Sequence, residues 1–202
     1  MKQNISEKTK MCAGGGYFTE QELRAFGFLK LGENVLISRK ASIYGAGNIS
    51  IGNNVRIDDF CILVGRITLG NYIHLAPYVS IHGTGGGSVT MRDFSALSSY
   101  TAVYAASDDY SGEAFTNPTV GEEYEKIIHS DILIEKHAIT GLHSVILPNA
   151  YLAEGVALGA MCLVCGKTEP WSIYVGIPGR KLKDRKKSLL RLEEEFLAVH
   201  GL

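Results

Sequence analysis

Proline is scarce, 5 in 202 residues, tryptophan occurs once, and no apolar run approaches the roughly 20 residues that a helix needs to cross a bilayer. Membrane insertion is therefore not expected. Excess charge is also missing: 20 Lys and Arg against 21 Asp and Glu leave a formal charge of -1, without the broad basic surface that nucleic-acid binding requires. Four cysteines (Cys12, Cys61, Cys162, Cys165) are too few for a disulfide framework in a chain of this size. The opening MKQNISEKTKMCAGGG has no apolar segment of the secretory kind. It reads as a flexible leader over 1–16, with the cytoplasm as the expected compartment. A hydrophobic content of 46% with 20% charged residues speaks against disorder. The length allows one sizeable core and not two ordinary domains. Against these shortages stands glycine, with 23 residues, which suggests many turns in a regular pattern.

That pattern has a period of six. From Ile51 the first places are Ile51, Ile57, Leu63, Leu69, Leu75 and Ile81, and the fifth places are Val55, Cys61, Ile67, Ile73 and Val79. The same phase holds from Leu31 to an insertion at Ile49-Ser50. It resumes near Met91 and Leu97, then from Ile134 through Thr140, Ile146, Leu152, Leu158 and Val164. Neither a helix nor a hairpin has this period. Two inward positions per hexad predict a triangular coil in which three short strands close one rung and residues eighteen apart stack.

Outside the coil, Thr19 to Glu22 forms a capping box followed by Leu23, Phe26 and Gly27, so a short helix is expected within 17–30. Leu189, Leu192, Phe196 and Val199 make an apolar stripe in a helix expected over 182–202. Lys183 to Lys187 early and Glu193 to Glu195 late oppose the helix dipole, so packing of the stripe must supply its stability. Two insertions interrupt the hexads. Gly83 to Gly87 lacks the Gly-Lys-Ser/Thr ending of a phosphate loop and reads as a turn. The loop 104–131 is long, polar and out of phase, and segments of that kind are usually functional.

Cys162-Leu-Val-Cys165 has the look of a redox or zinc pair, but Cys162 falls on an inward position and no second pair exists. No metal site is expected. His137 and His143 stand in fourth, corner places, open to surface, subunit contact or active-site readings. His74 and His82 point outward near the glycine insertion.

The hexads from about 31 to 181 resemble the hexapeptide-repeat acyltransferases, which implies an all-β fold, a left-handed parallel β-helix whose handedness comes from the family and not from the spacing. More narrowly, several stretches resemble O-antigen-type N-acetyltransferases of dTDP-linked amino-dideoxysugars, the viosamine type. They are Tyr17 to Leu23, Ile51 to Asp59, Ser107 to Gly112 with Thr116 to Thr119, Glu169 to Trp171, and Tyr174 to Arg180. The resemblance implies a homotrimer that moves acetyl from acetyl-CoA to the amino group of a nucleotide sugar, for polysaccharide or lipopolysaccharide precursors. Sugar O-acetyltransferases of this fold carry a histidine base at the start of the extended loop. Here Asp108 occupies that place, which fits an amine acceptor, because an amine with a pKa near roughly 8 is partly unprotonated already. Asp108 is expected to orient or deprotonate the amine, with His82 and His74 as rivals. The resemblance also implies Gly141 and Ala160 along the thioester arm, Ile177 and Pro178 near adenine, and Arg180 and Lys167 near phosphate. Cys165-Gly166 departs from the family's Thr-Lys pair and Ile139 from its aromatic residue. Competing readings are a sugar O-acetyltransferase with a histidine base and a catalytically silent β-helix that binds a partner.

Overall fold

The computed structural model describes residues 16–200, so Cys12 and nearly all of the proposed leader lie outside the described residues. Each hexad forms one strand of two to four residues, and the strands stack in register into three sheets of six, eight and six strands, parallel throughout except for the last strand of the second sheet, Arg180–Asp184, which is antiparallel. The first sheet begins at Lys30–Leu31 and ends at Tyr151–Leu152. The second runs from Leu36–Ile37 to Arg180–Asp184, and the third from Ser42–Tyr44 to Leu163–Val164. Alternation along a strand turns one residue in and the next out. The first-place residues Ile37, Ile51, Ile57, Leu63, Leu69, Leu75 and Ile81 are accordingly buried to 2% exposure or less. The fifth-place side chains are buried as well from Val55 to Cys162, including Ser144, whose hydroxyl donates to the carbonyls of Gly141 (2.8 Å) and Gly159 (3.2 Å).

Register shows how the insertions are tolerated. Leu69 stacks on Met91, and Met91 on Ile134, so the glycine-rich turn and the long loop are extruded without shifting the phase of the core. The first irregularity sits elsewhere than expected. Ile49 is buried and Ser50 is on the outer side of the strand Ile49–Ile51, while the extra residues form a 3-10 turn over Ala46–Asn48. An apolar Ile49 is drawn into the coil, and Gly45 with φ of 70° takes up the turn.

Corners need the left-handed backbone region, and this chain fills many of them with aromatic residues instead of glycine or asparagine. Tyr72, Phe94 and His137 follow one another along one edge, and Phe60, Tyr78, Tyr100 and His143 along the next, each with φ between 56° and 66°. Rings on adjacent rungs lie near the ~4.8 Å strand spacing and stack: Tyr72 on Phe94 at 4.7 Å, Phe60 on Tyr78 at 4.9 Å, Tyr78 on Tyr100 at 4.6 Å. Stacking of this kind, worth about 0.5–1.5 kcal/mol per pair, offsets the cost of the left-handed backbone.

Helix α1 (Glu20–Ala25) has the expected capping box, with Thr19 accepting from the Glu22 N–H and Glu22 accepting from the Thr19 N–H at 2.7 Å. Helix α2 (Leu189–His200) is shorter than the 182–202 reading. Arg180–Asp184 is instead an exposed strand paired antiparallel with Ser172–Val175, because an edge strand needs only backbone partners for an alternating charged run. Lys183 to Lys187 therefore precede α2 and do not oppose its dipole. The docked face also differs. Leu192 and Val199 are 56% and 76% exposed, whereas Phe196 meets the rings of Tyr72 and Phe94 edge-on at 5.3 and 6.1 Å. Glu193 forms an ion pair with Lys136 (2.5 Å) and lies at hydrogen-bond distance from His137 Nε2 (2.8 Å). His137, one of the two outward corner histidines, is thus covered by α2 and only 7% exposed.

Candidate functional site

The long loop is not structureless. Ala106–Asp108 pairs antiparallel with Ile127–His129, so the loop leaves the coil as a two-stranded stalk with a short 3-10 turn at Glu122–Tyr124. Gly85 and Gly86 approach Ala106 and the His129 ring so closely that a Cβ on either has no room. The glycine insertion is thus a turn packed against the stalk, and Arg66 donates to its Gly86 and Gly87 carbonyls.

Below the stalk, Ser80–Gly83 pairs with Ala102–Tyr104, which sets His82 against Tyr104. Their rings stack at 4.2 Å, and His82 Nε2 lies 2.7 Å from Ser80 Oγ. Burial pushes the His82 pKa down, which keeps the imidazole neutral near pH 7. Asp108 ends the outgoing stalk strand with its side chain exposed. The neighbouring Asp109 is only 5% exposed and accepts from the Ser111 hydroxyl (2.6 Å) and N–H (3.1 Å), with Lys126 Nζ at 3.8 Å. The Ser111 hydrogen bonds hold its carboxyl below the usual range. The sequence does carry a signal for Asp109, since an aspartate two residues before a serine favours an Asx-turn.

His74 belongs to another face. It extends from the second sheet, across the Tyr78 corner from His82, and its Nε2 lies 2.8 Å from Asp58. Asp58 is 6% exposed and also accepts from Arg56 Nε (2.6 Å) and the Tyr17 hydroxyl (2.9 Å). Desolvation raises its pKa, but the hydrogen bonds from His74, Arg56 and Tyr17 outweigh it and hold the carboxyl at about 2. A carboxyl with a folded value below the unfolded ~3.9 contributes stability that is present above pH ~4 and is lost as the pH falls toward 2. Acid unfolding followed by circular dichroism is expected to show that fall, and Asp58→Asn a shallower one.

The residues expected along the cofactor fall into two groups. Lys167, Pro178 and Arg180 line one cavity of about 370 Å³ with Thr168, Tyr174 and Lys181. Lys181 is engaged by Glu169 and Asp184 at 2.8 Å each. Lys167 and Arg180 have no acidic partner among the described residues, so the cavity offers two cations to an anionic ligand. Cys165 opens into the same cavity. Ile177 is 71% exposed at the turn beside it. Gly141 lies apart, its Cα so close to the Gly159–Ala160 backbone that a side chain would collide. This contact alone requires glycine there.

Among the described residues no group of three or more metal-ligating side chains is found, and no helix is long and apolar enough to cross a membrane. No family model matches the chain. A curated relative, the dTDP-4-amino-4,6-dideoxy-D-glucose acyltransferase of Escherichia coli, is 45% identical over 183 residues, 89% of this chain and 94% of the relative. Among solved structures, the N-acyltransferase AntD of Bacillus cereus in complex with dTDP and 3-hydroxybutyryl-CoA is similar at a TM-score of 0.90 and 49% identity, covering 93% of this chain and 99% of that one. A variant of AntD holding dTDP-4-amino-4,6-dideoxyglucose and coenzyme A gives 0.89 and 48%, covering 93% and 100%. A hexapeptide-repeat acetyltransferase of Vibrio cholerae, 18% identical with a TM-score of 0.52, shares the fold alone, over 92% of this chain and 84% of that one.

Proposed function

Because this chain belongs to the family of dTDP-4-amino-4,6-dideoxyglucose N-acyltransferases, we propose that it transfers an acetyl group from acetyl-CoA to the sugar amine of a dTDP-linked amino-dideoxyhexose. The observation that carries this reading is its 45% identity to the Escherichia coli acyltransferase across nearly the whole of both chains. An acyl-CoA-dependent N-acyltransferase is the coarser statement. The acetyl group, a homotrimeric assembly, a cytoplasmic location and a role in lipopolysaccharide precursor synthesis are the finer ones.

In the proposed reaction the amine nitrogen attacks the thioester carbonyl directly, a coil N–H group stabilises the oxyanion, and coenzyme A leaves as thiolate. Lys167 and Arg180 hold phosphate oxygens of the nucleotide end beside Ile177 and Pro178, and the thioester arm passes the rung of Gly141 and Ala160. Asp108 orients the amine, with His82 as a neutral hydrogen-bond partner. Support for an aspartate in this stretch comes from solved AntD variants, which change one serine and one aspartate ten positions later. In this chain that spacing occurs only at Ser98 with Asp108 and at Ser99 with Asp109.

Coenzyme A thiol release with dTDP- and UDP-linked amino sugars, beside the matching hydroxyl sugars, tests the reading. Turnover is expected with a dTDP-amino sugar only, slowed in Asp108→Asn about tenfold or more. Turnover confined to hydroxyl sugars contradicts it and moves the chain to the O-acetylating class.

A further inference from the structure

The cavity proposed for the nucleotide end of acyl-CoA has two walls of different firmness. One is coil, residues 163–168, where Lys167 pairs with Tyr151 of the rung before it. The other is the hairpin of Ser172–Val175 and Arg180–Asp184, which brings Tyr174 from one strand and Arg180 and Lys181 from the other. Its outer strand is exposed at all five residues, pairs with a single neighbour and shifts register between Ile173 and Tyr174. A sheet edge of this kind opens readily. Arg180 meets a phosphate only while that strand is held.

The turn of the hairpin is held by the coil, since Gly179 N–H donates to the Leu163 carbonyl at 2.7 Å and Leu163 N–H to the Gly176 carbonyl at 3.1 Å. The open end is held by Arg185. Its N–H donates to the Trp171 carbonyl at 2.7 Å, and its Nη1 reaches the carbonyls of His137 (2.9 Å), Gly155 (3.0 Å) and Val156 (3.4 Å). These oxygens stand before the strands Ile139–Thr140 and Ala157–Leu158, three and two places inward from Arg180–Asp184 in the second sheet. One side chain therefore ties the edge to the interior of the sheet. Burial lowers the Arg185 pKa with no carboxylate paired to it among the described residues, and a guanidinium stays charged at neutral pH all the same. Its charge strengthens the bonds to the carbonyls. His137, whose carbonyl takes Arg185, also lies 2.8 Å from Glu193 of α2 through its ring. Edge strand and helix are fastened to the same residue of the coil.

We propose that Arg185 is a positioning residue for acyl-CoA binding: by tying the end of the outer strand to the rungs of His137 and Gly155, it keeps Arg180 in the cavity with Lys167. The assignment rests on the acyl-CoA reading of that cavity and adds a residue that touches no ligand. Lys167 needs no such tie, because the coil itself carries it. The two cations should therefore respond differently when Arg185 is removed.

Calorimetric titration of the full chain with coenzyme A tests this without an acceptor sugar. Arg185→Ala is expected to weaken binding about five- to tenfold, because the ligand must then order the wall itself. Added to Lys167→Ala, the same change should weaken binding by the same factor again. Added to Arg180→Ala it should cost little, because Arg185 acts through Arg180. Arg185→Lys, which keeps a cationic donor, should regain part of the affinity, and it serves in the same cycle if the alanine protein does not fold. Amides of residues 172–184 should exchange faster with solvent in Arg185→Ala, while those of residues 51–97 keep their wild-type rates. In turnover, KM for acyl-CoA should rise with kcat and the KM for the sugar near wild type. Wild-type affinity in the folded variant, equal losses in the Arg180→Ala and Lys167→Ala proteins, or unchanged exchange in the hairpin overturns the proposal. A wild type that binds coenzyme A with the expected pattern yet acylates no amino sugar refutes the acceptor reading alone. A wild type whose affinity ignores Lys167→Ala and Arg180→Ala alike refutes the cavity reading, and the role of Arg185 with it.

Discussion

Acyl-CoA is expected to bind about ten- to a hundredfold more weakly to the Lys167→Ala, Arg180→Ala double variant than to wild type, because each cation that meets a phosphate contributes a charge-assisted hydrogen bond. Both residues line the same cavity and neither has an acidic partner among the described residues, so the charge is available to a ligand and its removal leaves no buried carboxylate behind. Both side chains are exposed, and screening keeps the effect below that of fully buried pairs. Two measurements check it. KM for acyl-CoA from thiol release should rise while kcat stays close to wild type. Raising salt should weaken binding to wild type far more than to the double variant. Equal KM values in the two proteins, or equal salt dependence, would remove the nucleotide end of acyl-CoA from this cavity.

Leu63→Ala is expected to lower folding stability by about 3–4 kcal/mol, in the upper part of the range for buried leucines. Leu63 is fully buried and stacks between Ile43 on one rung and Ile81 on the next. In a stacked coil the spacing of rungs is set by the backbone hydrogen bonds, so neither neighbour can move in to fill the space. The cavity therefore persists, and its cost adds to the lost burial. Urea unfolding should show a lower midpoint with an unchanged slope. A loss below about 1 kcal/mol would mean that the rungs do collapse around the gap.

The coil was legible because its signal is written many times. Every rung repeats the same two inward places, and the core from Ile51 to Val164 follows them through two insertions. What the hexads do not encode is what lies over the coil. His137 reads as an outward corner because the sequence gives no sign that α2 covers that edge. The strand at Arg180–Asp184 is set by an exposed edge of the second sheet, a tertiary opportunity that a run of lysines does not announce. At the site, His74 and His82 stood out by residue type and outward phase, but their surroundings did not. Asp58 lies sixteen residues before His74 and Tyr17 forty-one before Asp58. Only the stacking of rungs and the crossing of the first strand bring the three together. Asp109 escaped for a local reason, since the family pattern drew attention to Asp108 while the Asx-turn to Ser111 marks its neighbour.

The central claim is that a nitrogen of a dTDP-linked sugar receives the acyl group, and the product itself tests this most directly. After incubation with acetyl-CoA and dTDP-4-amino-4,6-dideoxyglucose, the account predicts a nucleotide sugar heavier by one acetyl group whose new bond resists mild hydroxylamine, as an amide does. A product of the same mass that hydroxylamine returns to starting material would be an ester on oxygen and would contradict the account, as would recovery of the unmodified sugar.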